Sequence, residues 1–120
     1  MKVEVFYIDG CPNRQPAVER VKELLHEFGL TGNVLEIPIT EAASATAVRF
    51  LGSPTIHVNG VDIEPSARTS SQFGVTCRMY WDGPEPAGVP PLDLIRRALL
   101  EAASRRIESF AGSEIMLRSR

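Results

Sequence analysis

The chain has 120 residues, 43% apolar and 23% charged, enough for one compact domain whose core needs no disulfide or metal to hold it. Its 13 Lys and Arg against 15 Asp and Glu leave a formal charge of -2, so there is no electrostatic case for nucleic acid or an anionic membrane as partner. No apolar run approaches the roughly 20 residues of a membrane span, and the N-terminus enters a strand pattern at once, without signal-peptide regions; the expectation is a cytoplasmic protein whose two cysteines are reduced.

Residues 2 to 8 alternate, with Val3, Val5 and Tyr7 on one side and Phe6 and Ile8 on the other. Apolar residues on both faces predict a central strand. Beyond Gly10, Ala17, Val18, Val21, Leu24, Leu25 and Phe28 recur at helical spacing, with Pro16 in the first turn and Gly29 as the stop. Residues 34 to 39 form the next strand pattern, parallel to the first because a helix separates them, and Pro38 suits a strand end or an edge. Glu41 to Leu51 is spaced for a second helix, with Thr40 as N-cap. Thr55 to Val58 and Val61 to Ile63 flank Asn59-Gly60, a two-residue hairpin signal because both residues tolerate positive φ.

Glu64 to Gln72 is polar and predicts a loop. Val75, Cys77, Met79 and Trp81 then alternate with Thr76, Arg78 and Tyr80, the pattern of a short strand or extended segment. A proline-rich connector, Asp82 to Pro91, leads to a final amphipathic helix marked by Leu92, Ile95, Leu99, Ala102 and Ala103 and ending near Phe110. The expected architecture is α/β, in the order β-α-β-α-β-β-α with the extra extended segment before the last helix. It makes one domain, residues 1–110, followed by a C-terminal tail, residues 111–120.

Cys11 falls where the first strand hands over to the first helix. The thiolate is the nucleophile, and the unpaired N–H groups and positive dipole end of a helix start favour an anion there. Arg14, one turn on, offers a cation, while Asp9 acts in the opposite direction. Cys77 shares a face with Val75, Met79 and Trp81, which leaves two readings open: a buried inert cysteine or a second reactive thiol. His26 and His57 read as solvated or structural. No metal site or cofactor is expected: zinc-ligand spacing, a phosphate-binding glycine loop and a serine triad signature are all lacking, and Ala17 stands where a Cys-x5-Arg loop needs its arginine.

Three stretches, residues 7–13 (Tyr-Ile-Asp-Gly-Cys-Pro-Asn), 49–56 (Arg-Phe-Leu-Gly-Ser-Pro-Thr-Ile) and 73–80 (Phe-Gly-Val-Thr-Cys-Arg-Met-Tyr), together resemble a poorly characterised group of small thioredoxin-like proteins, some of which carry selenocysteine where this chain has Cys11. The resemblance covers most of residues 3 to 100. It implies a thioredoxin-like mixed sheet and a redox or soft-metal role for Cys11. It further implies that Pro54 is cis and lies beside Cys11, leaving the backbone of Ser53 free to pair with an extended substrate or bound thiol. On this reading Ser53 and Pro54, with Pro12, Asn13 and Arg14, form the substrate side. Cys11-Pro12-Asn13-Arg14 departs from thioredoxin itself in lacking a second cysteine three residues on, so the only second thiol is Cys77.

The placement of Cys11 and Cys77 is also similar to that in the thioredoxin-like region of organomercurial lyases, although Arg14 stands where those enzymes have an Asp. The leading expectation is a cysteine-dependent thiol oxidoreductase acting on a disulfide or other soft electrophile, with Cys77 or an external thiol such as glutathione resolving. A mercury-binding or lyase-like protein using both cysteines, and a non-enzymatic binding module, are the alternatives.

Overall fold

A computed structural model describes the backbone of residues 1–118 and the side chains of residues 1–105. Its elements are β1 (Lys2–Tyr7), α1 (Arg14–Glu27), β2 (Asn33–Pro38), α2 (Ala42–Ala47), β3 (Thr55–Val58), β4 (Val61–Asp62), a 3-10 turn at Pro65–Ala67, and α3 (Leu92–Arg118). The four strands form one mixed sheet in the order β2-β1-β3-β4. β1 runs parallel to β2 and antiparallel to β3, and β4 pairs antiparallel with β3.

The two-faced alternation of β1 explains its central position. Val3 and Val5 enter a core with Ala17, Val21 and Leu24 of α1 and Leu94, Ile95 and Leu99 of α3. Phe6 faces the other way, into a smaller cluster with Ile39, Ala45 and Phe50. Helices α1 and α3 therefore cover one face of the sheet and the α2 region the other, an arrangement of layers that buries both sides. β2 lies at an edge and ends on Pro38, whose missing N–H costs nothing there.

Local signals set the turns. Gly29 (φ +62) closes α1: the Leu30 N–H reaches the Leu25 carbonyl and the Gly29 N–H the His26 carbonyl, a Schellman arrangement. Asn59 and Gly60 both take positive φ, as a type I′ hairpin requires. The second helix is shorter than its sequence suggests, Ala42–Ala47 rather than 41–51, and begins after Glu41 instead of Thr40. Arg49 (φ +58) adopts the left-handed conformation usually left to glycine. Bonds from Phe50 N–H to the Ala45 carbonyl and from Arg49 N–H to the Thr46 carbonyl then stop the helix and turn Phe50 into the smaller core cluster.

The stretch after Gly74 forms no full strand. It is extended and held by two isolated bridges, Ser53 to Cys77 and Tyr80 to Ala87. α3 continues past Phe110, where the sequence suggested a tail; side chains from residue 106 onward lie outside the described residues. Among the described residues no helix is long and apolar enough to cross a membrane.

Candidate functional site

Cys11 is presented by two successive turns. The Ile8 carbonyl accepts the Cys11 N–H at 3.2 Å, and Gly10 supplies the positive φ (+78) that a type II turn needs at its third position. The Cys11 carbonyl then accepts the Arg14 N–H at 3.5 Å, leading into α1, whose N-cap is Asn13. The cysteine is half-buried and Pro12 exposed. Arg14 is engaged away from the turn: its guanidinium lies 4.2 Å over the Tyr7 ring and its Nε is 3.7 Å from Glu36. The side chain of Asn13 packs against Gly88, where a Cβ would come within 2.6 Å of Nδ2, and lines an open cavity of about 610 Å³ with Arg20 and the connector prolines.

The Ser53–Pro54 peptide is cis, and both residues are buried. The Ser53 hydroxyl accepts the Ile8 N–H at 3.1 Å, tying this junction to the residue that also anchors the Cys11 turn. The backbone of Ser53 is not free, as the resemblance had implied. Its N–H donates to the Thr76 carbonyl at 2.8 Å, and its carbonyl accepts the Arg78 N–H at 3.1 Å. Cys11, Ser53-Pro54 and Cys77 thus belong to three segments that meet at one corner of the sheet, linked through Ile8 and Ser53. Both cysteines are free thiols.

Burial alternates from Cys77 to Trp81, after an exposed Val75 and Thr76, but in the sense opposite to what an apolar face suggests. Cys77 is exposed, together with Val75 (44%), Met79 (46%) and Trp81 (67%), while Arg78 and Tyr80 point inward. A buried, inert Cys77 is therefore ruled out. It lines a shallow cavity of about 310 Å³ with Glu64, Met79 and Trp81; Cys11 is not part of that lining.

What turns the strip over is a buried ionic network that sequence reasoning missed. Arg78 donates to both oxygens of Asp62 (2.8 and 2.9 Å), to Glu64 Oε1 (3.3 Å) and to Thr55 Oγ1 (3.2 Å). Its guanidinium also stacks 4.2 Å over the Tyr80 ring. Burial opposes the charge on Arg78, but the bonds and charge of Asp62, with Glu64 and Tyr80, hold the guanidinium above even its usual range. Burial pushes the Tyr80 phenol up, and its hydroxyl donates to the Pro54 carbonyl. Glu64 Oε2 accepts the N–H groups of Trp81 (2.6 Å) and Asp82 (2.9 Å).

Among the described residues no buried side-chain nitrogen or oxygen lacks a partner, so the network is complete. Its signal was present in the sequence as Asp62 and Glu64 alternating with Val61 and Ile63 on the second arm of the hairpin, with Arg78 alternating in the same way farther on. Nearby, His57 makes an edge contact with Phe6 (5.0 Å between ring centres) and lies 3.9 Å from Asp62. Desolvation lowers its pKa, against the pull of Asp62 and Glu4.

Among the described residues no three His, Cys, Asp or Glu side chains gather where a metal ion would be held. No protein-family model, curated protein or solved structure matches the chain.

Proposed function

We propose that this chain is a thioredoxin-like thiol oxidoreductase with Cys11 as its nucleophile. The observation that carries the reading is the junction itself: the turn presenting Cys11 is anchored at Ile8, Ile8 is bonded to Ser53, and Ser53 is bridged to the segment bearing an accessible second thiol, Cys77. The strand order β2-β1-β3-β4, with the cysteine turn between β1 and α1, supports the same reading.

In the reaction, the Cys11 thiolate attacks one sulfur of a disulfide, the S–S bond of the substrate breaks, and the departing thiolate leaves with the electron pair and takes up a proton. The resulting mixed disulfide is resolved by a second thiolate. If Cys77 attacks the Cys11 sulfur, an internal disulfide forms and the second half of the substrate is released as a thiol; if a low-molecular-weight thiol such as glutathione attacks the substrate sulfur, the Cys11 thiolate is regenerated and that half leaves as a disulfide with glutathione. An internal disulfide is in turn reduced by two equivalents of such a thiol.

The test is to expose the reduced protein to glutathione disulfide and map the products by peptide mass spectrometry. A glutathione adduct on Cys11 or a Cys11–Cys77 disulfide, lost in Cys11→Ser, is expected. Unmodified Cys11 under conditions that modify an unstructured cysteine peptide would refute the proposal. The same two thiols suit a soft cation such as mercury. Carbon–mercury cleavage has less support, because the position of a lyase's acid is held by Arg14, itself engaged with Tyr7 and Glu36.

A further inference from the structure

An extended polypeptide docks beside a sheet by pairing its main chain with a residue whose N–H and C=O are both open. At this corner Ser53 is the residue placed between the two thiol segments, and it offers neither group in full. The N–H is committed to Thr76 at 2.8 Å and the carbonyl receives Arg78 N–H at 3.1 Å. A carbonyl can accept a second bond, but an N–H has only one to give.

The segment that fills this position is built in. Gly52 has φ +120, and a Cβ there would lie 2.7 Å from the Cys77 carbonyl oxygen and 2.8 Å from the Arg78 Cβ, so the close approach depends on glycine. Behind it, the Arg78 guanidinium is locked to Asp62 and Glu64, and Glu64 also accepts the main-chain N–H groups of Trp81 and Asp82. Tyr80 fastens the strip to Pro54. The chain places its own extended segment against Ser53, where a peptide would have to pair.

We infer that the site is closed to extended polypeptides and selects small-molecule disulfides and thiols, with Thr76–Arg78 as the excluding element and Arg78 as the positioning residue that holds it. The inference rests on the reading of Cys11 as nucleophile. It narrows the substrate class to molecules that reach Cys11 without main-chain pairing at Ser53.

Two probes with one leaving group test it: N-acetylcysteine joined through a disulfide to 2-thiopyridine, and a short linear peptide whose central cysteine is joined in the same way. Cys11 attacks the cysteine sulfur, the new S–S bond joins it to the probe, and 2-thiopyridone departs with the electron pair and is read by absorbance. In Cys77→Ser protein, where Cys11 is the sole thiol, the small probe is expected to react about tenfold or more faster than the peptide. A peptide that reacts as fast or faster overturns the inference and leaves Cys11 as nucleophile. Failure of both probes to label Cys11 overturns that reading and the inference together.

Adding Arg78→Met to the Cys77→Ser protein should narrow the difference between probes by loosening the strip; an unchanged difference in a folded variant removes Arg78 from the role. Should that variant not fold, amide exchange in the wild-type protein decides the point. Ser53 and Arg78 N–H groups protected to the level of β3 support the built-in strip, and exchange at the rate of exposed loops overturns it.

Discussion

Arg78→Met is the perturbation with the clearest energetic consequence. Methionine keeps much of the apolar stem and removes every guanidinium N–H donor. The arginine side chain is 4% exposed, and its two carboxylate partners, Asp62 and Glu64, are 7% and 4% exposed, so neither is rescued by water without opening the structure. Losing one partner of a buried ion pair costs about 3–5 kcal/mol. Here each carboxylate keeps some compensation: Asp62 still accepts the Glu64 N–H, and Glu64 still accepts those of Trp81 and Asp82. The loss should therefore lie near the lower end, about 3 kcal/mol.

Urea unfolding of the two proteins provides the assay. With a slope of about 1–3 kcal/mol/M for a small domain, the midpoint should fall by about 1–3 M. Pairing Arg78→Met with Asp62→Leu removes one of the two stranded charges, so the double variant should be more stable than the sum of the single changes by about 1–2 kcal/mol. A single-variant loss below about 1 kcal/mol, or strict additivity in the cycle, would refute the account of the network as a satisfied buried cluster.

Gly52→Ala should destabilise by about 2 kcal/mol or more, since the new Cβ meets the Cys77 carbonyl oxygen at 2.7 Å and the Arg78 Cβ at 2.8 Å and alanine resists φ +120; an unchanged unfolding midpoint would contradict the tight approach. His57 is held below its usual value of 6.5 by desolvation, so the unfolded chain takes up its proton first as pH drops. Stability contributed by neutral His57 is therefore complete at neutral pH and is lost as pH falls through about 6.5 toward the folded value, at no more than about 1.4 kcal/mol per pH unit. His57→Gln should show a shallower loss over that window, and parallel stability curves would sink the assignment. Cys77 should react with a bulky maleimide in the native protein, given its exposure; labelling that requires denaturant would mean the strip faces inward after all.

Much of the architecture was legible because its causes are local. Asn59-Gly60 fixes a hairpin through φ preferences carried by those two residues, Gly29 closes α1, and the double alternation of β1 announces a strand with a core on each side. The turn placing Cys11 between β1 and α1 was likewise marked by Gly10. Helix α2 was over-extended because the helical spacing of Ala43, Ala47, Val48 and Leu51 gives no warning that Arg49 will take a left-handed conformation. That conformation carries Phe50 into a cluster with Phe6 and Ile39, partners outside the helix, as well as Ala45 within it.

The burial sense of residues 75–81 is the sharper case. Periodicity placed Val75, Cys77, Met79 and Trp81 together, but an alternation has two faces, and the pattern left open which of them is buried. Arg78 is buried only because Asp62 and Glu64 wait on the hairpin beneath it, and that neutralisation exists only once β3, β4 and the later segment are assembled. The same assembly spends the N–H and carbonyl of Ser53 on Thr76 and Arg78. The sequence by itself determined the order of elements and the position of the thiol at the end of β1, because nearest-neighbour φ preferences and side-chain periodicity suffice for those. Only the tertiary structure decided which side of the Cys77 segment meets water and whether Ser53 is open, because both depend on charges and main-chain groups from distant parts of the chain finding one another out of solvent.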